Sequence, residues 1–80
     1  MNSIIVIKNV EKLKEEIIKQ GFSYRELARE TGYSQTQISM ILLGERNPGA
    51  KLANKLCEVL KIKFDNFFYI NRLQKKSNKN

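Results

Sequence analysis

Val10, Leu13 and Ile17 recur at i, i+3 and i+7 within NVEKLKEEIIKQG, with Glu and Lys filling the positions between them. That spacing predicts one apolar stripe on a helix over about residues 9–20, with Asn9 as N-cap and Gly21 as the C-terminal stop. SYRE and SQTQ follow as two capping boxes. In each, the serine hydroxyl accepts from the backbone N–H three residues on, while Glu26 or Gln37 reaches back to the serine N–H. The first box opens a short helix carrying Leu27 and Ala28. Gly32 in ETGY suits a left-handed C-cap, and the next helix starts at once, over about residues 34–43. Two short helices joined through a Gly-containing turn predict a helix-turn-helix.

GERNPG is dense in turn residues and reads as a loop. Leu52, Ala53, Leu56 and Leu60 then mark one face of a fourth helix, about 49–60, with Lys51, Asn54, Lys55 and Glu58 on its other side. IKFDNFF adds Ile62, Phe64, Phe67 and Phe68, enough for a short fifth helix that closes the core. The pattern shows no internal repeat and no β-hairpin signal. SIIVI near the N-terminus leaves three roles open: it extends the first helix, packs along the core edge, or pairs as a strand across a dimer. The expected fold is therefore all-α, a compact bundle of four to five helices. One domain is expected over residues 1–70, with its core at 9–68, followed by a basic, flexible tail at 71–80.

Set Gln35 at 0° and advance 100° per residue along the charge-free helix. Ile38, Ile41 and Leu42 then fall at about 300°, 240° and 340°, one apolar sector. Ser39, Leu43, Thr36 and Met40 fall opposite, at about 40°, 80°, 100° and 140°. No charged side chain occurs between Gly32 and Gly44, although the formal net charge of the 80-residue chain is +7. The charge is uneven: +1 over residues 1–32, +3 over 33–63 and +3 over 64–80. The basic surplus lies after the neutral helix, and a surplus of this kind points to a polyanion, nucleic acid before an anionic membrane surface. Lys and Arg gain affinity from phosphates, whereas sequence is read at base edges. There Gln pairs with adenine N6 and N7, Ser or Thr serves several bases, and an apolar group such as Met40 contacts a thymine methyl. A neutral face ringed by cations suits the floor of a major groove.

Composition removes other classes. With no histidine and one cysteine, Cys57, the chain lacks the usual zinc ligands and any histidine-based catalysis. It also shows no nucleophile–base set and no phosphate-binding Gly loop, so an enzyme is not expected. No cofactor is implied. The lone cysteine cannot form an internal disulfide and points to a reducing cytoplasm, where it reads as a small core residue. No apolar run approaches the roughly 18 residues that would span a membrane. Arg25 and Arg29 read as an exposed charged face paired with nearby Glu. The tail lysines Lys75, Lys76 and Lys79 leave two roles open, nonspecific DNA affinity and solvation.

SYRELARETGYSQTQISMILLGERNPGAKLANKLCEVLKIKFDNFF resembles the Cro and lambda-repressor-like (XRE) helix-turn-helix family over roughly residues 9–68. The resemblance is carried by Leu27-Ala28, Gly32, Ile38-Ser39, the GERNP loop and the LANKLCEVLKIKFDNFF segment. It implies an all-α fold and a DNA-binding transcriptional regulator from a bacterium, phage or mobile element, in the first instance a repressor. By position it implies base contacts from Gln35, Thr36, Ser39 and Met40, joined by Gln37. It implies phosphate contacts from Tyr24, Ser34, Arg46, Asn47 and Lys51. Two positions depart from the family: Tyr24 replaces a frequent Gln, and Leu43 occupies a site usually polar. The partners expected are double-stranded DNA and a second copy, in a weak or DNA-assisted homodimer. The competing reading is an antitoxin-like protein that binds a partner protein and autoregulates through the same helix-turn-helix. Leu43 and SIIVI are its candidate partner surfaces.

Overall fold

Five helices alternate with short turns between two strands in the computed structural model, which describes residues 3–72. The order is β1 (Ser3–Ile7), α1 (Val10–Lys19), α2 (Tyr24–Thr31), α3 (Gln35–Leu42), α4 (Ala50–Leu60), α5 (Phe64–Phe67) and β2 (Phe68–Arg72). The helices stand where periodicity and capping put them. Asn9 accepts from the Lys12 amide at 3.1 Å, as an N-cap should. Leu13 and Ile17 of α1, Leu27 and Ala28 of α2, and Ile38, Ile41 and Leu42 of α3 point into one core with Leu52, Ala53, Leu56 and Leu60 of α4. Thr31 is buried among them, and its hydroxyl donates to the Leu27 carbonyl at 2.8 Å, so burial leaves it satisfied.

The all-α expectation does not hold. SIIVI forms β1 and pairs antiparallel with β2 of the same chain, Ile5 opposite Ile70, Val6 opposite Tyr69 and Ile7 opposite Phe68. Of the three roles left open for it, packing along the core edge holds, since Ile5 is buried in the core and Ile7 packs against it, while the strand partner lies within the chain and not across a dimer. β-Branched and aromatic residues facing each other across strands are the pairs that stabilise a ladder. Side chains alternate across the pleat, so Ile5, Ile7 and Phe68 share one face. On that face Ile5 and Phe68 are buried in the core, and Phe68 is fully enclosed. Its ring lies 5.3 Å from that of Phe64. The ladder continues one step past the strand, where the Lys8 N–H donates to the Phe67 carbonyl at 2.8 Å. Asn71 and Arg72, at the start of the expected tail, belong to β2. Residues 73–80, with Lys75, Lys76 and Lys79, lie outside the described residues.

Four helices end alike. The N–H groups of Phe22, Tyr33, Glu45 and Ile62 donate to carbonyls five residues back, on Ile17, Ala28, Met40 and Cys57. This six-to-one bond is the Schellman closure, and it needs a left-handed residue just before the donor. Glycine fills that place after α1, α2 and α3, but after α4 it is Lys61, at φ 56°. The Gln20 amide strengthens this corner by donating to the Leu60 carbonyl at 2.7 Å, which ties the end of α1 to the end of α4. A side chain with a Cβ is strained in the left-handed region, and Lys61 is exposed, so little packing is lost with it. Lys61→Gly is therefore expected to stabilise the fold by about 1 kcal/mol, raising the thermal midpoint by roughly 4–8 °C in a melt followed by circular dichroism.

Candidate nucleic-acid interface

Both capping boxes close reciprocally. Ser23 Oγ accepts from the Glu26 amide at 3.0 Å while Glu26 Oε1 accepts from the Ser23 amide at 2.9 Å. At the start of α3, Ser34 Oγ accepts from the Gln37 amide at 3.1 Å and Gln37 Oε1 accepts from the Ser34 amide at 3.0 Å. Each box also has an aromatic residue just before its serine and an aliphatic residue just after its Glu or Gln: Phe22 with Leu27, and Tyr33 with Ile38. Phe22 and Tyr33 are half-buried against the core that holds Leu27 and Ile38. That is the spacing of a hydrophobic staple, which fixes the angle at which a chain enters a helix. Between the two boxes Gly32 takes φ 82°. A Cβ there would meet nothing within 4 Å, so backbone conformation and not space demands the glycine.

The result is a second helix whose inner side is anchored by Ile38, Ile41 and Leu42. Gln35, Thr36 and Gln37 are exposed on its first turn, and Ser39 and Met40 are half-buried on the second. Neither its first turn nor its last carries a charged residue. The two glutamines differ chemically. The Gln37 carbonyl oxygen is engaged by the Ser34 amide and lies 3.2 Å from the Ser34 hydroxyl, leaving its NH₂ as the group free to donate outward. Bidentate pairing with adenine needs both ends of the amide. Among the described residues no bond engages the Gln35 side chain, so Gln35 has both ends available. The Ser34 hydroxyl is already used as acceptor and donor within the box.

Two of the expected phosphate-contacting residues, Arg46 and Asn47, lie beside the same helix. Arg46 and Asn47, both exposed, line a cavity of about 180 Å³ with Tyr33, Gln37 and Gly49, between α3 and the start of α4. Lys51 sits exposed in the first turn of α4, beside Tyr33 on its other side. Tyr24 opens α2 with its ring partly packed on the core. One feature of this surface escaped the sequence reading. Gly49 caps α4 without any side-chain hydrogen bond, unlike the serines before α2 and α3. Its first amides therefore lack a capping oxygen, beside Arg46 and Asn47, and free amides at a helix start favour an anion. The signal was present, since no Ser, Thr or Asp occupies that cap position. Tyr33 was also missed, because its place between the two groups of residues is a tertiary one.

Arg25 and Arg29 do not form the ion pairs expected of them. Among the described residues the salt bridges are Lys14–Glu11, with Lys14 half-buried, and the exposed Lys55–Glu58, both at 3.6 Å. Burial raises the pKa of the half-buried Cys57 thiol, in keeping with a packing role beside the core. Glu26 is held below its ordinary value of 4.5, first by the hydrogen bond from the Ser23 backbone, then by the Ser23 side chain, with a smaller effect from Arg29. A carboxylate whose folded pKa is lowered adds stability above the unfolded value, and that stability is lost as pH falls through the folded value. Glu26→Gln keeps a capping acceptor but cannot titrate. Melting midpoints measured from pH 7 downward should therefore fall more steeply for the wild type than for Glu26→Gln once the pH passes below about 4.5.

A family model described as helix-turn-helix matches residues 13–67. The match runs from within α1 to the end of α5 and includes neither strand. A protein of Bacillus subtilis (strain 168) described as "Uncharacterized HTH-type transcriptional regulator YvzC" is 32% identical over 59 residues, 74% of this chain and 77% of the relative's own length.

Proposed function

The chain belongs to the helix-turn-helix family of DNA-binding transcription regulators, of the XRE type, and we propose that it is a sequence-specific repressor that reads the major groove with α3. The observation that carries this reading is the charge-free outward side of α3, bordered by Arg46 and Asn47, with Lys51 beyond Tyr33. Gln35 pairs bidentately with a base, Thr36 and Ser39 offer hydroxyls, Gln37 donates through its NH₂, and Met40 supplies an apolar contact. Phosphates on either side are held by Arg46, Asn47 and Lys51 with the uncapped start of α4, and by Tyr24 at the start of α2; Ser34 takes no part, because its N–H and hydroxyl both donate to Gln37. Two copies assembled on DNA place their reading helices one helical turn apart, about 34 Å, and so select a palindrome. A bound pair represses by occupying DNA that the transcription machinery needs.

Selection of binding sites from random duplex DNA by the full chain tests the whole reading. A palindromic consensus is expected, whereas sequence-independent binding would sink it. Affinities measured on that consensus then separate the two kinds of contact. Gln35→Ala should lose about 1–3 kcal/mol of discrimination at one base pair and keep its salt dependence. Arg46→Ala should weaken binding to every sequence alike and lower the slope of log affinity against log salt by about 1.

A further inference from the structure

Leu43 has no part in the scheme above. It caps α3 with helical backbone angles, φ −90° and ψ −4°, so the helical positions run on through it. It is 65% exposed, while its neighbour Leu42 is 2% exposed. At 100° per residue Leu43 stands about 80° from Gln35, between Ser39 and Thr36. It is thus at the centre of the outward side and not at its margin. Side chains on a helix lean toward its N-terminus, so the Leu43 isobutyl group covers the surface around Ser39 and Met40, one turn back. Two amides and a hydroxyl thus occupy the first turn of the outward side, and the apolar Met40 and Leu43 follow on the second turn and the cap, with only the half-buried Ser39 between them.

A single exposed leucine in water needs no explanation. In a groove its position matters, because an apolar side chain set against a base-edge donor or acceptor displaces water without replacing its hydrogen bond. The one apolar group that base pairs present in the major groove is the thymine 5-methyl. We propose that Leu43, with Met40 beside it, is a specificity-determining residue that reads thymine methyl groups under the C-terminal turn of α3. The proposal rests on α3 being the groove-reading helix, and it assigns thymine to positions of the half-site beyond those read by Gln35 and Thr36.

The test begins with the consensus selected by the full chain from random duplex DNA. Each thymine is replaced in turn by uracil, which removes only the methyl group, and binding is measured for wild type and Leu43→Ala. At one or two positions per half-site uracil should weaken the wild type about fourfold, the value of one buried methyl, and leave Leu43→Ala unaffected. Selection repeated with Leu43→Gln should move the preference at those positions from thymine to adenine. Because Leu43 is exposed, both variants should melt with the wild type. A clear consensus in which no thymine methyl matters, or matters equally in Leu43→Ala, overturns the proposal while leaving groove reading intact. So does an unchanged preference in Leu43→Gln, which is the result expected if Leu43 meets a protein instead. A failure to select any consensus overturns groove reading itself, and this proposal with it.

Discussion

The turn at Gly32 sets where everything functional can stand. α2 ends there, and the Ser34 box begins α3 two residues later, so one left-handed residue must redirect the chain within a single helical closure. The Tyr33 amide returns to Ala28, the ring of Tyr33 packs on the core, and the reciprocal Ser34–Gln37 bonds set the first turn of α3. With its start fixed at that angle, α3 must bury Ile38, Ile41 and Leu42, and its other side must face outward. The loop from Gly44 then carries Arg46 and Asn47 back beside Gln37 before α4 begins.

That geometry separates two tasks that use different chemistry. Phosphates are alike along a duplex, so cations and free amides that hold them give affinity without sequence. On the proposed reading such groups belong off α3, and the cations and uncapped amides of this surface do lie on the loop and on the first turn of α4. α2 and α3 spend serine hydroxyls on their own caps, whereas α4 leaves its first amides unclaimed. The difference between a serine and a glycine at one backbone position thus marks which helix start is structural and which is available to an anion.

The helices were legible because their information is local. A stripe at i, i+3 and i+7, a box spanning four residues and a Gly at a helix end are all contained within one or two turns of chain. The β1–β2 ribbon had no such signal. SIIVI is apolar at every position after its serine, so it lacks the alternation that would mark a half-buried strand. Its partner lies more than sixty residues away and begins within an aromatic run that also suits a helix. On the interface, the neutrality of α3 and the split of its residues into inward and outward sets could be read from spacing alone. The half-burial of Ser39 and Met40 could not, nor could the place of Tyr33 between Gln37 and Lys51, since both depend on how α3 and α4 approach each other. The difference between Gln35 and Gln37 was implicit in the capping box, because an amide whose oxygen closes a cap cannot also pair bidentately.

An eight-residue helix is marginal on its own, since isolated helices shorter than about 12–15 residues barely form in water. α3 therefore takes its stability from three buried side chains, each contributing about 1.5–3 kcal/mol, and from a cap contributing about 1 kcal/mol. None of that comes from Gln35, Thr36 or the exposed Leu43. Such a helix holds its shape whatever most of its outward residues are, so those positions are free to vary without cost to the fold. Gln37 is the exception, because one end of its amide belongs to the fold and the other to the surface. A change there alters both the placement of α3 and what α3 presents, which makes Gln37 the one position on the first turn where the outward surface and the fold cannot vary independently.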